Sequence, residues 1–509
     1  MNAVALSGIH KRFGAVRAND GVDLSVEAGT VHGLIGENGA GKSTLMAILY
    51  GYYQADAGHI AVNGQPVQIR NSHEAIALGI GMVHQHFMLV DKLTALDNVL
   101  LGAEPGWYLP SGQTQVRQGL TRLMEQTGLQ VRLDERVDAL PVGELQRLEI
   151  LKALYRGARI LILDEPTAVL TPQETEALFE VLRRLRAQGT TILLITHKLK
   201  EVMALCDQVT VMRAGQVVHR CAIADTDTAA LAEAMVGRKV VLGREGGTAP
   251  SPDAAPLLSA RGLSLRSAQG VPLLREVSLQ LRPGEIVGVA GVSGNGQSEL
   301  LELLSGLQAP DAGTLELGGR RFEAKAWLDP RRARELGLAH VPEDRHACGL
   351  VMDFPAWESA GLGYQQLLKY RRGRFGLDGA ALRRACASMM ETFDVRPRDP
   401  LLGSSKFSGG NQQKLILARE IGESPKVLLV GQPTRGVDIG AIEFIHGQLR
   451  RLRDAGCAVL VVSSELDEIL QLADRVLVMN AGRITGELAI DACDERSLGL
   501  LMVAQPEAA

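Results

Sequence analysis

Two kinds of hydrophobic text alternate along the chain. Continuous apolar runs such as Arg159-Ile-Leu-Ile-Leu163 and Thr191-Ile-Leu-Leu-Ile195 present no polar face, which suits parallel strands covered on both sides. Thr30-Val-His-Gly-Leu-Ile35 reads as another buried strand, and Lys42 to Tyr50 as a helix that Gly51 stops. Between about residues 86 and 139 the apolar positions take helical spacing, most clearly from Val116 to Leu129. A longer counterpart runs from about Asp344 to Lys406. Strands alternating with amphipathic helices predict an α/β sheet.

The pattern is written twice. Val22-Asp-Leu-Ser-Val-Glu-Ala-Gly29 returns as Val277-Ser-Leu-Gln-Leu-Arg-Pro-Gly284, and Asp164-Glu-Pro-Thr167 returns as Gly431-Gln-Pro-Thr434. The interval between echoes lengthens toward the C-terminus, so the second copy carries insertions. So long a period indicates tandem domains rather than a solenoid. Gly243 to Pro256, rich in Gly, Pro, Ala and Ser, reads as a short solvated linker. The expected division is therefore 1–242, linker 243–256, and 257–509.

Composition narrows the class. The chain has 509 residues, 46% hydrophobic and 22% charged, ordinary for a globular protein of more than one domain. No run of roughly eighteen apolar residues exists, so no membrane span is expected. The opening Met-Asn-Ala-Val-Ala-Leu-Ser has no basic stretch before an apolar core, so no secretory signal is expected. Six cysteines without a C-x-x-C pairing suit reduced thiols in a cytosolic protein. A formal net charge of −4 argues against a general nucleic-acid binder.

Candidate chemistry starts at Gly36-Glu37-Asn38-Gly39-Ala40-Gly41-Lys42-Ser43-Thr44, whose G-x-x-x-x-G-K-S core is a phosphate-binding loop. Glycines let successive N–H groups converge on an anion, Lys42 can reach the β- and γ-phosphates of a nucleotide, and the Ser43 hydroxyl suits Mg²⁺. Downstream, Ile160-Leu-Ile-Leu163 ends in Asp164, placed to hold the metal, and Glu165, placed to polarise an attacking water. Thr191 to Ile195 ends in Thr196-His197, where an imidazole can sense the γ-phosphate. Gln85, in Gly81-Met-Val-His-Gln-His86, can reach metal and water, and Phe13 can stack on adenine. Singly, such a glutamine, histidine or phenylalanine is an ordinary surface or core residue. Their order along one chain is what points to a nucleotide site.

The arrangement resembles the nucleotide-binding domains of ATP-binding cassette (ABC) transporters, over nearly the whole chain. The diagnostic piece is Phe407-Ser408-Gly409-Gly410-Asn411-Gln412-Gln413-Lys414, similar to the ABC signature, opening a helix whose apolar face runs through Leu415, Ala418 and Ile421. The resemblance implies two tandem P-loop NTPase domains, each with an α/β core, an antiparallel β subdomain and a helical subdomain. It implies ATP and Mg²⁺ as cofactors. In such proteins each ATP lies between one domain's phosphate loop and the other's signature.

On that scheme the departures sort themselves. Gln297 stands where Lys42 stood in the second loop, Gly291 to Gly296 before it and Ser298 after it. Gly431 and Gln432 replace Asp164 and Glu165; Ser464, Glu343 and Ala268 replace His197, Gln85 and Phe13. The first copy's signature position reads Leu140-Pro141-Val142-Gly143-Glu144, with Pro141 in place of serine. The resemblance thus implies one hydrolytic site, pairing the first loop with Ser408, Gly409, Gly410 and Gln412, and one degenerate site.

Phe87-Met-Leu-Val-Asp-Lys-Leu-Thr94-Ala-Leu-Asp97-Asn98-Val99 resembles the ABC segment that receives a permease coupling helix, with Asp353-Phe-Pro-Ala-Trp357-Glu358 as its counterpart. Fused pairs with an altered second half look like ATPases of bacterial nucleoside and monosaccharide importers. Leu140 to Gly157, Thr167 to Glu174 and Gln432 to Gly436 are nearest the nucleoside branch, and Val341-Pro-Glu-Asp-Arg345 is shared with the sugar branch. The expectation is a nucleoside importer ATPase, peripheral on the cytoplasmic face of the membrane. Its expected partners are a heterodimeric permease and, through it, an extracytoplasmic lipoprotein. A sugar importer is the alternative, and a soluble twin-cassette protein acting on ribosomes a more distant one.

Overall fold

The computed structural model describes residues 1–503 except 15, 85–86, 104–108, 168–169, 171, 240–253, 293, 374–375 and 438. The chain divides into two compact units, Met1–Val240 and Val241–Ala509. Most of the expected linker lies outside the described residues.

In the first unit six strands form one sheet in the order Gln216–Ala222, Gln208–Arg213, Val31–Gly36, Thr191–Ile195, Ile160–Asp164, Ile80–Val83. Neighbours are parallel except the edge strand Gln216–Ala222. Val31–Gly36, Ile160–Asp164 and Thr191–Ile195 are buried at every position, as runs without a polar face require. A second, antiparallel sheet runs Val16–Glu27, Asn2–Phe13, Ala57–Val62, Gln65–Val67.

Both sheets feed one core, in which Val4, Leu6, Ile9 and Leu24 meet Leu34, Ile162 and Leu193. The helix Lys42–Leu49 packs into the same core through Leu45, Met46, Ile48 and Leu49, none more than 1% exposed. An isolated helix of eight residues is marginal. Burying these side chains, worth about 1.5–3 kcal/mol each, is what fixes it.

The second unit repeats the plan. Its sheet runs Leu338–Val341, Val427–Gly431, Ala458–Ser463, Ile286–Ala290, Arg475–Asn480, Arg483–Ala489, again parallel but for the last. An antiparallel sheet of Pro272–Leu281, Leu258–Arg266, Ala312–Leu317 and Arg320–Glu323 packs on it. Helices occupy the regions read as helical: Ala95–Leu100 and Leu109–Thr127 in the first unit, and Ala356–Gly361 and Gly379–Thr392 in the second; Val142–Tyr155 and Gly409–Ile421 follow beyond them. The helix expected over Val116–Leu129 begins earlier, with Pro110 tolerated in its first turn. It stops at Thr127 because Gly128 takes φ 79. The second unit's helical region also holds a small hairpin, Arg371–Arg372 with Gly376–Leu377, too short to show in periodicity. No helix among the described residues is long and apolar enough to cross a membrane.

Candidate functional site

Strand Val31–Gly36 delivers the chain into the glycine-rich loop and then into helix Lys42–Leu49. A Cβ on Gly41, at φ 97, would stand 2.1 Å from the Ala18 carbonyl oxygen, and one on Gly36 would stand 2.2 Å from that of Met212. Neither position has room for a side chain. The Asn19 amide, buried beneath the loop, donates to the Gly41 carbonyl at 3.1 Å. Ala40 is buried, and its N–H closes a turn on the Glu37 carbonyl. Lys42 is 5% exposed, and its Nζ donates to the carbonyls of Gly36 at 2.7 Å and Glu37 at 3.0 Å. A positive charge inside a ring of backbone groups at a helix N-terminus is an anion-binding arrangement.

Two carboxylates stand at the end of strand Ile160–Asp164, one strand beyond Thr191–Ile195 in the sheet. Asp164 is buried, beside Ser43 and Lys42. Burial, and then the Glu165 carboxylate beside it, push its pKa up to about 6. Glu165 lies at φ 48 with its N–H on the Ile195 carbonyl at 2.8 Å, a left-handed conformation uncommon outside glycine. His197 Nδ1 sits 2.9 Å from Glu165 Oε1. Burial alone would raise Glu165, but the His197 hydrogen bond and charge, with Lys42 and Lys198, hold it below the usual carboxylate range. The structure therefore brings Lys42, Ser43, Asp164, Glu165 and His197 together. Gln85 lies outside the described residues. Phe13 is 44% exposed, with Tyr53 edge-on at 5.1 Å and Lys11 over its ring at 5.6 Å.

Behind these residues is a support that no motif marked. Glu201 is buried and accepts hydrogen bonds from Thr167 Oγ1 and, at 3.1 Å, from Thr196 Oγ1. It ties together the segments that follow both strands. A buried polar residue in a short amphipathic helix is the one sequence signal it leaves.

The second unit reproduces the backbone and changes the groups. Gly296 takes φ 100 at the helix N-cap. Gln297, 6% exposed, donates from Nε2 to the Val292 carbonyl at 3.1 Å and accepts the Asn295 N–H at 3.1 Å, filling the space beside Gly291. Gln432 lies at φ 45 with its N–H on the Val462 carbonyl at 2.7 Å. Its Oε1 accepts from the Ser464 N–H at 3.2 Å and hydroxyl at 3.1 Å. Ser298 donates to the Glu343 carboxylate.

The two signature positions differ in the same systematic way. Ser408 precedes helix Gly409–Ile421 and accepts from the Asn411 amide at 2.8 Å. A Cβ on Gly409 would lie 2.8 Å from Arg345 Nη2, so a guanidinium flanks this helix start. Gly410 is buried, and so is Gln412, whose amide bonds the Ser404 carbonyl and His346. In the first unit Pro141 precedes helix Val142–Tyr155, and neither helix start has a side-chain cap. A Cβ on Gly143 would lie 2.3 Å from Glu174 Oε1, so here a carboxylate flanks the start. Met88 and Val90 in the first unit and Phe354 in the second are exposed.

The sequence profile described as "ABC transporter" matches residues 19–168 and 274–435. The chain is also 44% identical to the guanosine import ATP-binding protein NupO of Bacillus subtilis, over 98% of this chain and 97% of that protein. This chain belongs to the ABC transporter family of ATP-binding proteins. It is an ABC ATPase, two cassettes in one polypeptide. It is 41% identical to the ribose import ATP-binding protein RbsA 1 of Rubrobacter xylanophilus, over 97% of each. The fold of both cassettes recurs in the crystal structure of the archaeal ribosome recycling factor aABCE1 with the ribosomal stalk protein aP1. That likeness has a TM-score of 0.66 at 19% identity, covering 97% of this chain and 92% of that one.

Proposed function

We propose that this ABC ATPase is the ATP-hydrolysing subunit of a bacterial importer of nucleosides, with one hydrolytic and one degenerate nucleotide site. One observation carries the asymmetry. The first cassette keeps Lys42, Asp164, Glu165 and His197 but has Pro141 at its signature, whereas the second has Gln297, Gly431, Gln432 and Ser464 but keeps Ser408. Decay of one domain alone does not predict a faulty signature in the other. Pairing the first loop with the second signature leaves one site whole.

In that site Phe13 stacks on adenine while Lys42 and the loop N–H groups hold the β- and γ-phosphates. Water attacks the γ-phosphorus, its proton passes to Glu165, the bond to the β–γ bridging oxygen breaks, and ADP departs. The low pKa of Glu165 keeps it ionised at neutral pH, and its bond to His197 fixes its position. In the proposed pairing, Ser408 and the N–H groups of Gly409 and Gly410 supply further donors for the γ-phosphate. Ser43 and Asp164 are neighbouring oxygen donors, which fits Mg²⁺, and Gln85 is the further ligand in this reading; bound there, the ion would offset phosphate charge.

The cargo reading rests on likeness to a guanosine import protein. The ribose import relative supports the sugar alternative. Partners would be a permease, heterodimeric in this reading, and a substrate-binding lipoprotein, with this chain peripheral on the cytoplasmic face. Exposed Met88, Val90 and Phe354 suit a permease contact. The test is purification from solubilised membranes, followed by ATPase assays with guanosine-loaded or ribose-loaded receptor. Co-purified permease with stimulation by guanosine is expected. Stimulation by ribose alone selects the sugar reading, and recovery of ribosomal RNA without permease overturns both.

A further inference from the structure

The helical region of the second unit carries the hairpin of Arg371–Arg372 with Gly376–Leu377, which has no counterpart among the described residues of the first unit. Two leucines of this segment face solvent, Leu368 at 85% exposed and Leu377 at 56%. Both are held there by the fold. Leu368 opens the short turn Leu368–Tyr370, whose Tyr370 is buried with Tyr364 and Leu382. The Lys369 ammonium pairs with Glu423, and the Asp378 N–H closes the hairpin on the Tyr370 carbonyl at 2.9 Å. A single exposed leucine needs no explanation. Two on one anchored hairpin, set among cations, call for a partner.

The charge around them has one sign. Lys369, Arg371, Arg372, Arg383 and Arg384 are exposed, and Asp378 is the one acid between Tyr364 and Ala387. That acid is already engaged. It caps helix Gly379–Thr392 through the Ala381 N–H at 2.9 Å, with Arg384 and Arg372 both near enough to act on it. Directly paired residues share one face of a β ribbon, so Arg371 and Leu377, partners in the hairpin, lie on the same side. Arg383 stands over the Trp357 ring at 5.4 Å, which joins the patch to the segment Asp353–Glu358 read as meeting a permease. The chain as a whole carries a net charge of −4, so this gathering of cations is local. In the first unit's helical region Arg117 and Arg132 are instead engaged by Asp134 and Glu144.

We infer that this hairpin contacts lipid directly: Leu368 and Leu377 enter the headgroup layer of the membrane while the arginines bind the phosphates of anionic phospholipids. Apolar side chains ringed by basic ones are the combination that holds a protein at an anionic membrane surface. Each half supplies what the other lacks. Guanidinium groups match phosphate oxygens, but their attraction is screened beyond a Debye length. The leucines act only on contact and are indifferent to headgroup charge. Nucleic acid, the other common polyanion, offers the arginines the same phosphates but gives the two leucines no apolar phase to enter. The inference rests on reading the chain as peripheral at the membrane, and it gives the second cassette a task that requires no hydrolysis.

The experiment takes the full-length chain without permease and measures co-sedimentation with vesicles of phosphatidylcholine, alone or mixed with phosphatidylglycerol, at low and high salt. Binding to the anionic vesicles only, weakened by salt, is expected. Arg372→Gln with Arg384→Gln should lower the partition coefficient at least about tenfold, each cation near the surface being worth about fivefold. Leu368→Ser with Leu377→Ser should lower it by about tenfold as well. Arg320→Gln with Arg321→Gln, exposed on another hairpin of the same unit, removes equal charge and should leave binding nearly unchanged. Thermal unfolding of each variant should match that of the unaltered chain. Equal binding to both kinds of vesicle, no binding to either, or an equal loss in the Arg320 and Arg321 control overturns the inference. So does a leucine pair that keeps full vesicle binding, which would leave a general polyanion patch such as one for RNA. So does an arginine pair that keeps vesicle binding but no longer recovers permease, which would assign the patch to a permease loop. Recovery of permease by the unaltered chain is scored separately, so failure here is distinguishable from failure of the importer reading.

Discussion

Glu165 and Gln432 occupy the same turn in the two cassettes. Their φ angles are 48 and 45, and their N–H groups reach the Ile195 and Val462 carbonyls at 2.8 and 2.7 Å. The helix N-caps match as well, Gly41 at φ 97 and Gly296 at φ 100. What differs is charge. One turn carries a carboxylate on a histidine, the other an amide on a serine. A left-handed non-glycine residue costs on the order of 1 kcal/mol or more, and the second cassette keeps that conformation without the acid it presents in the first. Backbone geometry and side-chain charge are thus separable properties, the first common to both copies and the carboxylate confined to one.

Glu165→Gln puts the second cassette's side chain into the first and should sharpen the contrast most. Turnover is expected to fall by about 10²–10⁴ while ATP binding persists, read by steady-state hydrolysis and equilibrium binding. The reverse change, Gln432→Glu, should raise hydrolysis not at all, because Gln297 and Gly431 remain. Measurable activity in a Gln432→Glu, Glu165→Gln double variant would break the comparison. Next in size, Ser408→Arg should cost about 10² in hydrolysis by filling the place of a γ-phosphate ligand, whereas Gly143→Arg leaves most activity. Equal losses from the two would end the pairing of first loop with second signature.

Smaller effects test the flanking charges. Arg345→Ala removes the guanidinium beside Gly409, and about a tenfold fall in hydrolysis is expected from one lost charged partner. Arg345→Lys should restore part of it. Glu174→Ala, at the other helix start, should change hydrolysis little.

One property should be shared by both cassettes. His32 is buried and His340 half-buried, and desolvation, aided by Arg220 near His32 and by Arg334 and Arg419 against the opposing Glu420 near His340, brings each pKa down to about 4. The folded chain refuses a proton that the unfolded chain accepts below its own value near 6.5, so stability falls as pH drops from about 6.5 toward 4. At pH 5 each histidine should account for about 2 kcal/mol, seen as parallel acid destabilisation of both units by hydrogen exchange. His32→Gln should flatten the slope of the first unit alone.

The buried strands were legible because a run such as Ile160-Leu-Ile-Leu163 admits one environment, and the phosphate loop because only glycines fit against Ala18 and Met212. Helix ends were less so, as the early start at Leu109 illustrates, since propensity near a proline does not fix where the first turn begins. Contacts that join distant segments left no local trace. Asn19 under Gly41, Glu201 between Thr167 and Thr196, and Arg345 against Gly409 are set by tertiary approach. The approach of Glu343 Cγ to the space beside Gly431 is the sharpest case. Along the chain the two positions read as independent departures, and only in space do they meet.

That contact also sets the order in which the second cassette could regain an aspartate. Gly431→Asp made first would drive a new side chain into the methylenes of Glu343, so the revertant would pay a packing penalty before any chemistry improved. Shortening residue 343 first leaves a protein with neither carboxylate. Every single-step route back passes through a worse intermediate, and the second cassette is held in its present form by a steric latch a few ångströms wide.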